Sequence, residues 1–129
     1  NRVEIDNLRL RIIIENLLEN ALQYVKEKDG QIKVDVSNTN TDIHINVSDN
    51  GIGIPKNEYD KIFTEFYRAS NARKKLSSGS GIGLHMAEKY VKAHKGTIRF
   101  ESKENHGTTF FITIPIKSRA DTNEFLSQI

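Results

Sequence analysis

Asn16 and Asn20 lie one helical turn apart in Ile12-Ile-Ile-Glu-Asn16-Leu-Leu-Glu-Asn20-Ala-Leu-Gln23-Tyr24. At 3.6 residues per turn, Asn16, Asn20 and Gln23 fall within about 60° of one another, at the edge of an apolar face. Amide oxygens there suit a hard cation such as Mg²⁺, and amide NH₂ groups suit phosphate oxygens; plain helix-surface residues fit the same pattern. Asp49-Asn-Gly51-Ile-Gly53-Ile-Pro55 follows an alternating apolar run. A carboxylate at that point can accept a hydrogen bond from an exocyclic amine such as adenine N6. Gly51 and Gly53 let a flat base approach the backbone, or simply complete a tight turn. Gly79-Ser-Gly81-Ile-Gly83-Leu84 opens a helical stretch. Bare N–H groups and the helix dipole attract phosphate there, and a hinge before a helix fits equally. Arg68, closing Ile62-Phe63-Thr-Glu-Phe66-Tyr67-Arg68, offers a planar fork for a terminal phosphate or is a solvated charge. Each signal is ambiguous alone. Their order in one chain would place amides, an acid, an Arg and a helix start around one cavity.

The elements that must position these residues are legible from periodicity. Asp6 can cap a helix whose buried face is Leu10, Ile14, Leu17, Leu18, Ala21 and Val25, ended by Asp29-Gly30. Ile32, Val34 and Val36 alternate as a half-buried strand; Ser37–Asp42 is a turn, and Ile43, Ile45 and Val47 form a second strand of one hairpin. Pro55 suits the start of a short helix through Tyr59 and Ile62. Phe63, Phe66 and Tyr67 are expected to anchor the following segment to the core. Residues 69–79, polar, basic and serine-rich, read as a mobile loop. Ile82–His94 is a second amphipathic helix, with Leu84, Ala87, Tyr90 and Val91 inward, ended by Lys95-Gly96. Ile98–Ser102 and Thr108–Ile116 make a last hairpin around Asn105-His106-Gly107. The order predicts an α+β fold, a two-layer sandwich with about three helices on one face of a mixed, mainly antiparallel sheet. Residues 1–116 read as one domain, and 117–129 as a polar tail or linker.

Composition narrows the function. The 129 residues suit one domain with a real core, at 36% hydrophobic and 28% charged. Nineteen basic against 17 acidic residues leave +2, too balanced to point to nucleic acid. There is no cysteine, which excludes disulfides, thiol catalysis and a Cys-based zinc site. No apolar run reaches a membrane span and no signal peptide opens the chain. Without an initiator Met, the chain is expected to be a piece of a longer protein.

As a set, the four motifs resemble the catalytic ATP-binding domain of sensor histidine kinases, within the larger group that includes gyrase, Hsp90 and MutL and shares the Bergerat fold. The asparagine box is Asn16–Ala21, the first glycine box Asp49–Pro55, the phenylalanine box Ile62–Arg68 and the second glycine box Gly79–Leu84. The resemblance covers roughly residues 6–116. It implies ATP and Mg²⁺ as ligands. Asn16 would coordinate the metal, and Asn20 would contact phosphate and help hold the metal. Tyr24 would pack by the ribose and base. Asp49 would meet the adenine amine, with Gly51 and Gly53 shaping the pocket and Ile54 below the base. Arg68 would meet the γ-phosphate. Residues 69–80 would form a lid, with Gly79, Gly81, Gly83 and the Leu84 amide near the phosphates and Thr108 near the adenine.

ATP-hydrolysing relatives place a glutamate where this chain has Asn16, and an amide cannot take a proton at neutral pH. The neighbouring Glu15 points about 100° away. Such a pocket should hold ATP without hydrolysing it. Many histidine kinases have Lys at the place of Gln23, which removes one positive charge from the triphosphate end. The resemblance implies a histidine-bearing helical dimerisation domain as the phosphoacceptor, a response regulator downstream and a cytoplasmic setting. His44, His85, His94 and His106 are not expected to be acceptors. The isolated domain is expected to be monomeric, with little phosphotransfer of its own. An ATPase or serine kinase, and a non-catalytic scaffold, are the rival readings.

Overall fold

The computed structural model describes residues 7–75 and 81–116. The Asp6 cap, residues 76–80 of the expected lid with Gly79 among them, and the tail at 117–129 lie outside them. The first helix, α1, runs Asn7–Tyr24. It precedes a hairpin of β1 (Ile32–Asn38) and β2 (Asp42–Asp49). A 3-10 segment at Lys56–Lys61 and a six-residue helix α2 (Ser70–Lys75) follow. Helix α3 (Gly83–Ala93) leads into a second hairpin of β3 (Thr97–Lys103) and β4 (Gly107–Pro115).

The four strands form one sheet in the order β1-β2-β4-β3. The expected mixed sheet is antiparallel at all three pairings among the described residues. The second hairpin inserts β4 beside β2, so Asp49, the last residue of β2, lies directly opposite Thr108. Alternation sends Ile43, Ile45 and Val47 of β2 and Phe110, Ile112 and Ile114 of β4 into the core, all nearly or fully buried. The opposite face carries polar pairs, among them His44 with Thr113 and Ser48 with Thr109. As an edge strand, β1 is poorly covered: Val34 is 39% exposed rather than half-buried.

Helices α1 and α3 pack on each other and on the sheet. Because α1 has two neighbours, its apolar arc is wider than one stripe. Leu10, Ile13, Leu17 and Ala21 are fully buried, while Ile14 and Leu18 are only partly so. Ile13 lies outside the single face that the residue spacing predicts, and it is buried by this wider arc. The helix ends at Tyr24, before Asp29-Gly30, where the Tyr24 carbonyl takes the Ile52 N–H at 3.2 Å. An aromatic cluster closes the other end of the core: Tyr59 meets Phe100 edge-on at 5.0 Å, and Phe63 lies 6.2 Å from Phe110.

Two expectations for the segment after the core change. Phe63 anchors it, but Phe66 is 66% exposed and Tyr67 bonds to Glu58 instead. Phe66 has φ 68°, which turns its side chain outward while its N–H meets the Gly81 carbonyl at 2.9 Å. The segment expected as a loop begins with a helix, α2, whose first residue is held by Glu58.

Candidate functional site

One cleft gathers the predicted residues. The second half of α1 supplies Asn16, Asn20, Gln23 and Tyr24, one turn after another on one face. The turn after β2 supplies Asp49, Gly53 and Ile54, β4 supplies Thr108, and the start of α3 supplies Gly81, Gly83 and Leu84. Arg68 enters from the segment before α2. Gly51 does not line the cleft. A Cβ there would stand 2.1 Å from the Tyr24 carbonyl oxygen, so this glycine lets the turn lie against the end of α1. Glu19, Ile52, Ile62, Tyr67, Ala69 and Ala72 also line the cleft; the last two fall in the expected lid, and the motifs single out none of the six by role. Glu19 was findable, since it lies three residues from Asn16 and shares its helical face. Ala72 was hidden by the loop expectation.

At the β2 end, Asp49 accepts the Gly51 N–H at 2.8 Å. Burial raises its carboxyl above the ordinary value, and the N–H groups of Gly51 and Thr108 work against that rise. Thr108 is buried, with its hydroxyl 2.7 Å from the Ser102 hydroxyl. Ser102 donates its proton to the Gly107 carbonyl at 3.1 Å and accepts the Ile54 N–H at 2.8 Å. With that proton committed, Thr108 is the donor of the pair, and its remaining lone pairs are acceptors. Asp49 and Thr108 thus form an acceptor-rich end, suited to an amine. Gly53 is left-handed, φ 69°, and packs on the Lys103 carbonyl, where a Cβ would stand at 2.2 Å.

At the α3 end, the N-cap residue is Ile82, whose side chain makes no capping hydrogen bond. Gly83 faces Asn16: a Cβ on it would lie 3.6 Å from the Asn16 amide oxygen. Backbone donors of a helix start and side-chain amides therefore share this end, a setting for phosphate. Among the described residues no three His, Cys, Asp or Glu cluster to cage a metal. The donor set of Asn16, Asn20 and nearby Glu19 fits Mg²⁺ as an ion brought in on a polyphosphate, for which one or two protein oxygens suffice. Glu19, exposed on the cleft wall, puts a carboxylate beside Asn16, where the expectation from Glu15 is a site without one.

Arg68 spans the middle. Its guanidinium donates to the Tyr24 hydroxyl at 2.7 Å and to the Ala72 carbonyl at 3.1 Å. It therefore rests at the Tyr24 end of α1, eight residues or about 12 Å along the helix from Asn16. Asn71 of α2 donates to the Gly53 carbonyl at 3.0 Å, tying α2 to the glycine turn. The four histidines stay out of the cleft. His85 Nδ1 meets the Phe63 carbonyl at 3.1 Å, and His94 Nδ1 the Tyr90 carbonyl at 2.9 Å.

A two-layer α+β fold with one cleft, acceptor-rich at one end and lined by amides and a helix start at the other, is the architecture of a nucleotide-binding domain. The profile of the family described as "Histidine kinase-, DNA gyrase B-, and HSP90-like ATPase" matches residues 5–118. Sensor histidine kinase WalK of Bacillus subtilis (strain 168) is 39% identical over 121 residues, 92% of this chain and 20% of that protein. Sensor protein kinase WalK of Staphylococcus haemolyticus is 40% identical over 113 residues, 87% of this chain and 19% of that protein. Among solved structures, the catalytic domain of histidine kinase ThkA superposes with a TM-score of 0.70 at 31% identity. That match covers 85% of this chain and 69% of that one. The mycobacterial sensor histidine kinase MprB gives a TM-score of 0.77 at 27% identity, covering 89% and 77%. The chain belongs to this ATPase family, among the ATP-binding catalytic domains of sensor histidine kinases. It spans about a fifth of the length of the WalK relatives it matches.

Proposed function

We propose that the cleft binds Mg-ATP and presents its γ-phosphate to a histidine on a separate helical dimerisation domain, for onward transfer to a response regulator. The adenine amine meets Asp49, with Thr108 beside it and Ile54 beneath the base; Tyr24 and Gln23 flank the sugar and first phosphate. Asn16 and Asn20 would hold the magnesium through their amide oxygens, and the ion would supply charge neutralisation at the phosphates. The N–H groups around Gly81, Gly83 and Leu84 take phosphate oxygens. Arg68 leaves the Tyr24 hydroxyl and swings toward the terminal phosphate, as a long side chain on a fixed backbone can. The reading places the domain in the cytoplasm, monomeric by itself and dimeric through the helical domain of the whole kinase, with little phosphotransfer when isolated.

What carries this reading is the convergence of Asn16, Asn20, Asp49, Arg68, Gly83 and Thr108 on one cleft, although they come from five separate stretches of sequence. Asn16 has no basic lone pair for activating water, so bound ATP should persist. Calorimetric titration with ATP, with and without magnesium, tests this. One site, tighter binding with magnesium and no ADP in the cell afterwards are expected, and Asn16→Ala should erase the magnesium effect. No heat and no thermal shift would favour an inert scaffold. Accumulating ADP would favour an ATPase, with Glu19 as the carboxylate to examine first.

A further inference from the structure

Glu58 and Thr108 are the two buried polar or charged residues among the described ones, and Glu58 has no part in the contacts proposed for ATP. It sits on the 3-10 segment, outside the four motifs. Its carboxylate accepts the Tyr67 O–H, the Ser70 N–H at 3.1 Å and the Ser70 hydroxyl at 2.7 Å. These donors stand on both sides of Arg68: one residue before it and two after. The Arg73 guanidinium fixes the Arg68 carbonyl at 2.7 Å. The backbone around Arg68 is thereby held from three directions, while its side chain reaches across to Tyr24 of α1.

We propose that Glu58 is a positioning residue of the nucleotide site: by clamping Tyr67 and Ser70 it sets the pivot from which Arg68 reaches into the cleft. This rests on the reading of Arg68 as a phosphate ligand. The chemistry calls for a carboxylate. Three donors converge on it, and an ionised carboxyl is acceptor-only, with sites for about four bonds. Glutamine would turn an NH₂ toward those donors. Bonds to an ionised acceptor are also shorter and roughly twice as strong as neutral ones, which suits a clamp on a short segment. A capping residue with no functional reach would make the same contacts, so the discriminating readout is ligand affinity and its coupling to Arg68.

The experiment measures ATP and adenosine affinities of the wild-type chain, Glu58→Gln, Glu58→Ala, Arg68→Ala and the Glu58→Ala/Arg68→Ala double variant by calorimetry. Every measurement is made well below the thermal midpoint of the variant. Glu58→Ala and Arg68→Ala should each weaken ATP roughly tenfold, the scale of one charge-assisted hydrogen bond, and leave adenosine unchanged. Glu58→Gln should fall between. The double variant should bind ATP no more weakly than Arg68→Ala, because the clamp acts only through that side chain. Independent losses that multiply in the double variant would overturn the proposal, as would full ATP affinity in Glu58→Ala. If Glu58→Ala does not fold, Tyr67→Phe and Ser70→Ala remove the donors singly, and the same non-additivity with Arg68→Ala decides. Full ATP affinity in Arg68→Ala would overturn the reading of Arg68 itself, and the clamp with it. Loss in Arg68→Ala alone would overturn only the role of Glu58.

Discussion

At the scale of residues, Asp49 carries a conflict between stability and binding. Burial raises its carboxyl above the ordinary 3.8. An acid with a raised folded-state value costs the fold nothing below its unfolded value. The cost grows as pH rises from the unfolded value to the folded one, and is complete above it. Asp49→Asn removes the charge and keeps an oxygen for the Gly51 N–H. The variant should therefore melt at a higher temperature than wild type at pH 7 without nucleotide, with the gain fading as the buffer approaches pH 3.8. It should also lose preference for adenine over guanine nucleotides, because an amide offers either a donor or an acceptor. Retained preference would remove Asp49 from the base. This residue was legible in the sequence because it closes a strand and precedes glycines. Glu58 was not: an acid two residues inside a short 3-10 segment has no periodicity to mark it, and its donors are 9 to 12 positions away.

Among the elements, the glycines separate architecture from binding. Gly53 is left-handed and lies against the Lys103 carbonyl, so Gly53→Ala meets both a strained backbone and a clash. The backbone strain alone costs about 1–3 kcal/mol, so chemical denaturation should show a clear loss of stability, whether or not ATP is bound. Gly83→Ala meets nothing closer than the Asn16 amide at 3.6 Å, an ordinary contact, and alanine suits a helix. It should unfold no earlier than wild type and bind Mg-ATP more weakly, since the methyl group projects toward Asn16. Equal nucleotide affinity in Gly83→Ala would separate the start of α3 from the phosphates. The periodic elements were legible to within a few residues at most boundaries. The segment after Arg68 was not, because α2 has no apolar stripe: it is held by Glu58 and Asn71, and polar tethers leave no hydrophobic period. The outward turn of Phe66 was equally hidden, since it depends on a left-handed backbone beside Gly81.

For the whole molecule, the order of helix, hairpin, helix, hairpin foretold two layers, but not that β4 would lie between β2 and β3. That insertion is long-range, and it brings Thr108 opposite Asp49, a register that local pattern could not fix. It also leaves the two sheet faces with different work: one packs on α1 and α3, while the other presents His44, Phe111 and Thr113 away from the cleft. The central claim, that one cleft grips Mg-ATP, is tested most directly by recording backbone amide spectra of the chain while Mg-ATP is added. Shifts should concentrate on Asn16, Asn20, Asp49, Gly53, Gly83 and Thr108, with His44, Phe111 and Thr113 still. Perturbations centred on the outer sheet face, or none at saturating Mg-ATP, would contradict it.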